Sequence, residues 1–179
     1  MIVDLTKPIY HGMAVYPGDP LVELKEVARI ETEGYSNYLF KTSMHAGTHV
    51  DGLGHMLEHK PLIGEYPLSE LIGRARKIDA HAKEIPNDVD FLVIKGQTIL
   101  DLTWVKTHLH KPLKGIVLET DSPDLEPYLV HKYLFQEGII IVENATNLES
   151  LPKHDSFKLY IIPLKIEADS SPCRVFATL

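Results

Sequence analysis

The strongest constraint on the fold comes from short runs that have no polar face. Ile139–Val142 carries no polar side chain at all, and Phe91–Lys95 and Gly115–Glu119 are apolar until their last residue. Strands of this kind must be covered on both sides, as in a parallel or mixed sheet with helices packed against it. Two segments can supply the cover. Asp101–Leu109 fits a helix capped by its own Asp, and Pro127–Glu137 fits a second, stopped by Gly138 and running straight into Ile139. Further strands are expected at Ile2–Leu5, Val22–Ile30, Ser36–Met44, Ala75–Ile78, Leu159–Ile162 and Val175–Leu179, with a short helix opening at Pro67–Leu71. From His45 to Gly64 no period survives, because Gly47, Gly52, Gly54 and Pro61 interrupt it. The expected class is α/β, a mixed sheet flanked by a few helices. With 179 residues and no repeat, low-complexity tract or Gly/Ser linker, residues 1–179 are expected to form a single domain.

Composition narrows the function. A hydrophobic fraction of 44% and a charged fraction of 24% describe an ordinary globular chain. Twenty-five acidic residues against 18 Lys and Arg leave a net charge of −7, which argues against nucleic acid or an anionic membrane as the main partner. Cys173 is the only cysteine, so a disulfide framework is impossible and a cytoplasmic location is expected. The N-terminal stretch has no basic region followed by an apolar run, and no 18-residue apolar stretch occurs, so neither classical secretion nor membrane spanning is expected.

The chemistry is concentrated in one place. Ten histidines spread evenly along the chain would put fewer than one in any stretch of fifteen, yet His45, His49, His55 and His59 fall within one such stretch, with Asp51 among them. Imidazole and carboxylate together are the usual ligands of zinc, manganese or iron. The zincin helix is excluded, since Gly47 lies between His45 and His49 and no Glu follows His45. Glu143 directly follows the all-apolar Ile139–Val142 run, so its carboxylate is either paired or metal-bound, or else the first exposed residue after a buried strand. Cys173 reads as a small buried side chain, because a cysteine nucleophile would need a histidine base nearby. Ser150-Leu-Pro-Lys153 spells S-x-x-K, but its proline breaks the helical turn which that motif requires. His11, His59, His81, His108, His110 and His154 receive no role.

His45-Ala-Gly-Thr-His49-Val-Asp51-Gly-Leu-Gly-His55 resembles the H-x-G-T-H-x-D-x-P-x-H motif of the cyclase family of metal-dependent hydrolases, the family of the kynurenine formamidase and isatin hydrolase type. Leu53 stands where the family usually has Pro. Met13-Ala-Val-Tyr16-Pro-Gly-Asp-Pro20 resembles the family's N-terminal loop, with Tyr16 in place of the Trp of the formamidases. Pro163–Arg174 resembles the C-terminal segment, with Ala168 near a usual Gly. The resemblance implies a barrel-like mixed sheet of the swivelling β/β/α type. It implies two divalent ions, Zn²⁺ or Mn²⁺: His45, His49 and Asp51 hold one, and Asp51, His131 and Glu143 hold the other, with Asp51 bridging. A metal-activated water would then cleave the C–N bond of a small formamide or amide, in the manner of an arylformamidase acting on a tryptophan- or kynurenine-type substrate. His55 would shuttle a proton to the leaving amine, or else be a ligand itself, and Tyr16 would face the substrate. Asp121 is expected to support the site, and the chain to form a homodimer or higher homo-oligomer. A chain that binds metal without catalysis, or that acts on a cyclic amide or lactone, is the alternative.

Overall fold

The computed structural model describes residues 1–96, 99–110 and 112–179. Ten strands occur among them: β1 (Ile2–Asp4), β2 (Glu23–Ala28), β3 (Asn37–Lys41), β4 (His49–Asp51), β5 (Ile72–Asp79), β6 (Phe91–Lys95), β7 (Gly115–Leu118), β8 (Ile140–Glu143), β9 (Phe157–Pro163) and β10 (Ser170–Thr178). The helices are α1 (Ile30–Glu33), α2 (Leu68–Leu71), α3 (Leu102–His108) and α4 (Leu129–Gln136).

Strands β5, β6, β7 and β8 run parallel, and β8 then pairs antiparallel with β4. The ring closes because β10 is long enough to serve two neighbours: Ser170–Pro172 pair with β4, and Cys173–Thr178 with β9, which returns to β5. The result is a closed mixed barrel of seven strands, with β1 added to the outer end of β10. Closure leaves the ring without a free edge over most of its length. The expected α/β class, with a barrel-like mixed sheet and few helices, is what the structure shows.

The apolar runs account for themselves once the barrel is in view. Phe91, Val93, Val117, Ile140 and Val142 point into the barrel with Val50 and Val175. Their alternates Leu92, Ile94, Ile116, Leu118 and Ile141 point outward, under Val105 of α3 and Leu134 and Phe135 of α4. Asp101 caps α3 through Trp104 N–H at 2.8 Å, and Gly138, at φ +79, ends the segment after α4.

Beyond small shifts of element ends, three features differ from expectation. The interrupted region holds a strand after all, β4, whose three residues are too few to show a period. β10 begins at Ser170 rather than Val175, because Ser170, Ser171 and Pro172 look like a loop until β4 lies beside them. Strands β2 and β3 occur where strands were expected, but they pair only with each other, as a separate two-stranded ribbon outside the barrel.

Candidate metal centre

Strand alternation builds the first part of the site. His49 and Asp51 are two apart on β4, so both leave the outer face while Val50 between them enters the barrel. His49 is the register partner of Glu143 on β8. Glu143 continues the outward-facing set of Ile139 and Ile141, which places it under α4, where His131 is buried. His45 and His55 flank β4 on either side. All five expected metal residues and His55 therefore line one cavity of about 690 Å³, together with Tyr16.

The buried atoms are close to one another but are not aimed at one another. His49 Nε2 lies 3.2 Å from Glu143 Oε2 and 3.5 Å from Asp51 Oδ1, and His45 Nδ1 lies 3.1 Å from Asp51 Oδ1. Even so, neither His49 Nε2 nor Asp51 Oδ1 makes a hydrogen bond, although both are fully buried. Leaving such groups unsatisfied costs on the order of 1–3 kcal/mol each. Donor atoms that converge on a common point without bonding each other are what a cation between them requires. The potential ligand atoms fall into two overlapping groups, His49/Asp51/Glu143 and His45/Asp51/His55, that share Asp51. His131 Nε2 joins the first through Glu143 Oε1 at 3.1 Å.

Each of three histidines has its other nitrogen fixed. His49 Nδ1 donates to the Gly47 carbonyl at 3.0 Å, and Gly47 reaches that position at φ +66, where a side chain would be strained. His131 Nδ1 faces Asp124 Oδ1, while Asp124 Oδ2 accepts from Val130 N–H at 2.6 Å. His55 Nδ1 lies 2.8 Å from Asp169 Oδ2, and Asp169 also accepts from Ser170 Oγ. Such partners select the tautomer and aim the free nitrogen.

The electrostatics follow the same pattern. Burial by itself would lower the pKa of His49, but the Asp51 and Glu143 carboxylates overcome it and raise it to about 9. His131 is also raised to about 9, since Asp124 and Glu143 outweigh its burial. Burial would raise Asp51, yet His49 and His45 hold its carboxyl well below the usual range. The thiol of Cys173, buried and near Asp51, is pushed far up, which removes it as a nucleophile.

Three residues of the site were not legible in the sequence. Asp124, rather than Asp121, supports His131; Asp121 is exposed and lines the cavity. Asp169 holds His55 from 114 residues away. Tyr128, at φ +57, places its hydroxyl 3.1 Å from that of Tyr16, so the two phenols meet across the cavity wall. Outside the site, His11 Nδ1 accepts from Leu24 N–H, His81 Nε2 accepts from Asp101 N–H, and His108 bonds the Trp104 carbonyl. No helix among the described residues is long and apolar enough to cross a membrane.

The chain matches the Cyclase family over residues 3–142. It is 27% identical over 199 aligned positions to kynurenine formamidase of Bacillus cereus, covering 96% of this chain and 94% of that protein. The kynurenine formamidase of Salinibacter ruber is 27% identical over 164 positions, covering 88% and 74%. Among solved structures, isatin hydrolase A from Labrenzia aggregata superimposes with a TM-score of 0.80 at 19% identity, covering 99% of this chain and 93% of that one. All the residues that line the cavity except Glu143 and Asn144 thus fall within the matched segment, on a shared barrel, and the chain belongs to the cyclase family.

Proposed function

We propose that the cavity is the active site of a metal-dependent amidohydrolase that cleaves the C–N bond of a small formamide or amide. The observation that carries this reading is the convergence of the buried, unbonded His49 Nε2 and Asp51 Oδ1 on the Glu143 carboxylate. His45, His49, Asp51, His131 and Glu143 would hold one or two divalent ions, Zn²⁺ or Mn²⁺, with Asp51 shared. The family relationship to kynurenine formamidases supports an arylformamidase-like activity.

A bound divalent ion supplies Lewis acidity, enough to bring the pKa of a water molecule from 15.7 to roughly 7. The protein's own groups do the rest. Gly47 and Asp124 keep the Nε2 atoms of His49 and His131 unprotonated in the loaded site by occupying Nδ1. As water adds to the amide carbonyl, one proton passes to His55 Nε2, whose Nδ1–H is held by Asp169. His55 then returns that proton to the nitrogen as the C–N bond breaks, releasing a neutral amine and a carboxylic acid, which loses its remaining proton to solvent. Tyr16 and Tyr128 close one side of the cavity and offer their rings to an aryl group. A second copy of this chain is the partner expected.

His55→Ala separates the two roles open to that residue. Metal content measured on purified protein stays near wild type while kcat on formanilide falls by about 10²–10⁴-fold, the range of a lost acid–base group. Metal lost in step with activity makes His55 a ligand. A metal-loaded wild type inert toward formamides, lactams and lactones alike overturns the enzymatic reading.

A further inference from the structure

Lys7 is not explained by the fold or by the metal site. It follows β1 and lines the cavity, and among the described residues it is the only Lys or Arg that does so. Its backbone N–H donates to Thr48 Oγ1 at 2.8 Å, and that hydroxyl donates to the Asn144 carbonyl at 2.7 Å. Its Nζ donates to Asn144 Oδ1 at 2.8 Å. Main chain and side chain are therefore tied to the residues immediately before His49 and immediately after Glu143.

The ammonium is partly buried and no ion pair involves it among the described residues. No carboxylate of the cavity pairs with it: Asp51 and Glu143 face histidines, Asp19 accepts from Ser43 Oγ at 2.9 Å, and Asp121 is exposed. A lysine has three N–H donors, and Asn144 takes one. A half-desolvated cation with a single neutral acceptor lacks an anion. Elsewhere the cavity offers Met13, Val15 and Met56 with the rings of Tyr16 and Tyr128, a lining suited to an apolar or aryl body.

We propose that Lys7 is a specificity-determining residue which selects amide substrates carrying a carboxylate on an apolar body. The inference rests on the amidohydrolase reading and names its substrate class. The pinning of Lys7 through Thr48 and Asn144 sets the anion beside the metal ligands, so carboxylate and scissile amide belong to one small molecule.

Two measurements test it. In metal-loaded wild type, Lys7→Met and Lys7→Arg proteins, kcat/KM is compared for N-formylanthranilate and neutral formanilide. The ratio of the two falls about 10- to 100-fold in Lys7→Met, as expected for one lost charge-assisted hydrogen bond, and recovers in Lys7→Arg. Calorimetry of benzoate, benzamide and inorganic phosphate is the readout independent of turnover: benzoate affinity falls by a similar factor in Lys7→Met and benzamide affinity does not. An unchanged ratio with unchanged benzoate binding overturns the proposal. So does equal loss on both substrates, which makes Lys7 structural, and so does phosphate bound through Lys7 where benzoate is not, which makes it a site for free anions. If metal-loaded wild type hydrolyses neither substrate nor any other formamide or lactam, the amidohydrolase reading fails, and the benzoate titration still decides the role of Lys7.

Discussion

At the residue scale, the site is a set of nitrogens aimed by hydrogen bonds made on their far sides. The raised values of His49 and His131 mean that both rings are protonated at pH 7 when no metal is present. Metal must displace those protons, so zinc uptake at pH 7 releases about two per chain, fewer as pH approaches 9, by calorimetry in buffers of different ionisation heat. The same shifts carry a stability consequence in the metal-free chain. A histidine whose folded pKa is raised stabilises the fold fully below its unfolded value of 6.5, and that contribution is lost as pH climbs through about 9. Thermal midpoints measured with chelator present therefore fall between pH 6.5 and 9, and added zinc flattens the decline. Asp124→Ala frees the His131 ring and lowers metal affinity by about 10–100-fold, read by competition with a chromophoric chelator. The residues proposed to hold the metal could be picked out in the sequence, because H-x-x-x-H-x-D puts three possible donors on a short stretch and the apolar run before Glu143 marks it as buried. Asp124 and Asp169 were not, since each reaches its histidine through a turn whose path no local pattern reveals.

At the scale of elements, β4 positions the site and is itself held by its neighbours. Three residues cannot form a stable strand alone, and β8 on one side with Ser170–Pro172 on the other supply its pairing. Gly52 marks where the chain leaves β4: its N–H bonds the Asp169 carbonyl at 3.0 Å, and a Cβ there would lie 2.8 Å from the same oxygen. Gly52→Ala pushes that segment, and Asp169 with it, away from His55. Denaturant unfolding should show a loss of about 1–3 kcal/mol, as for other overpacked positions, and kcat should fall with it. Strands β6, β7 and β8 were legible because burial on both faces leaves no polar residue to blur them. So were α3 and α4, through the Asp101 cap and the Gly138 stop. β4 and the first turn of β10 escaped notice because their strand character is tertiary: each is extended only because the other lies beside it.

At the scale of the whole molecule, the ribbon of β2 and β3 stands apart from the barrel, and every residue of β3 is exposed. Leu24, Val27, Tyr38, Leu39 and Phe40 present apolar surface on a two-stranded ribbon that is marginal by itself. The assembly expected is a homodimer in which a second copy covers this arm, and sedimentation velocity at micromolar concentration checks it: wild type is expected to run as a dimer or larger, and Tyr38→Ser with Phe40→Ser to shift it toward monomer. Closure of the barrel by β10 has a further consequence, one of timing. The histidines of residues 45–55 leave the ribosome roughly ninety residues before Glu143, and the strand that locks β4 in place comes later still. Pairings so distant in sequence form slowly. Until they form, the early histidines are a flexible peptide with no buried carboxylate to complete the coordination. Any choice among competing metals would thus be made by the finished ring rather than by the nascent loop.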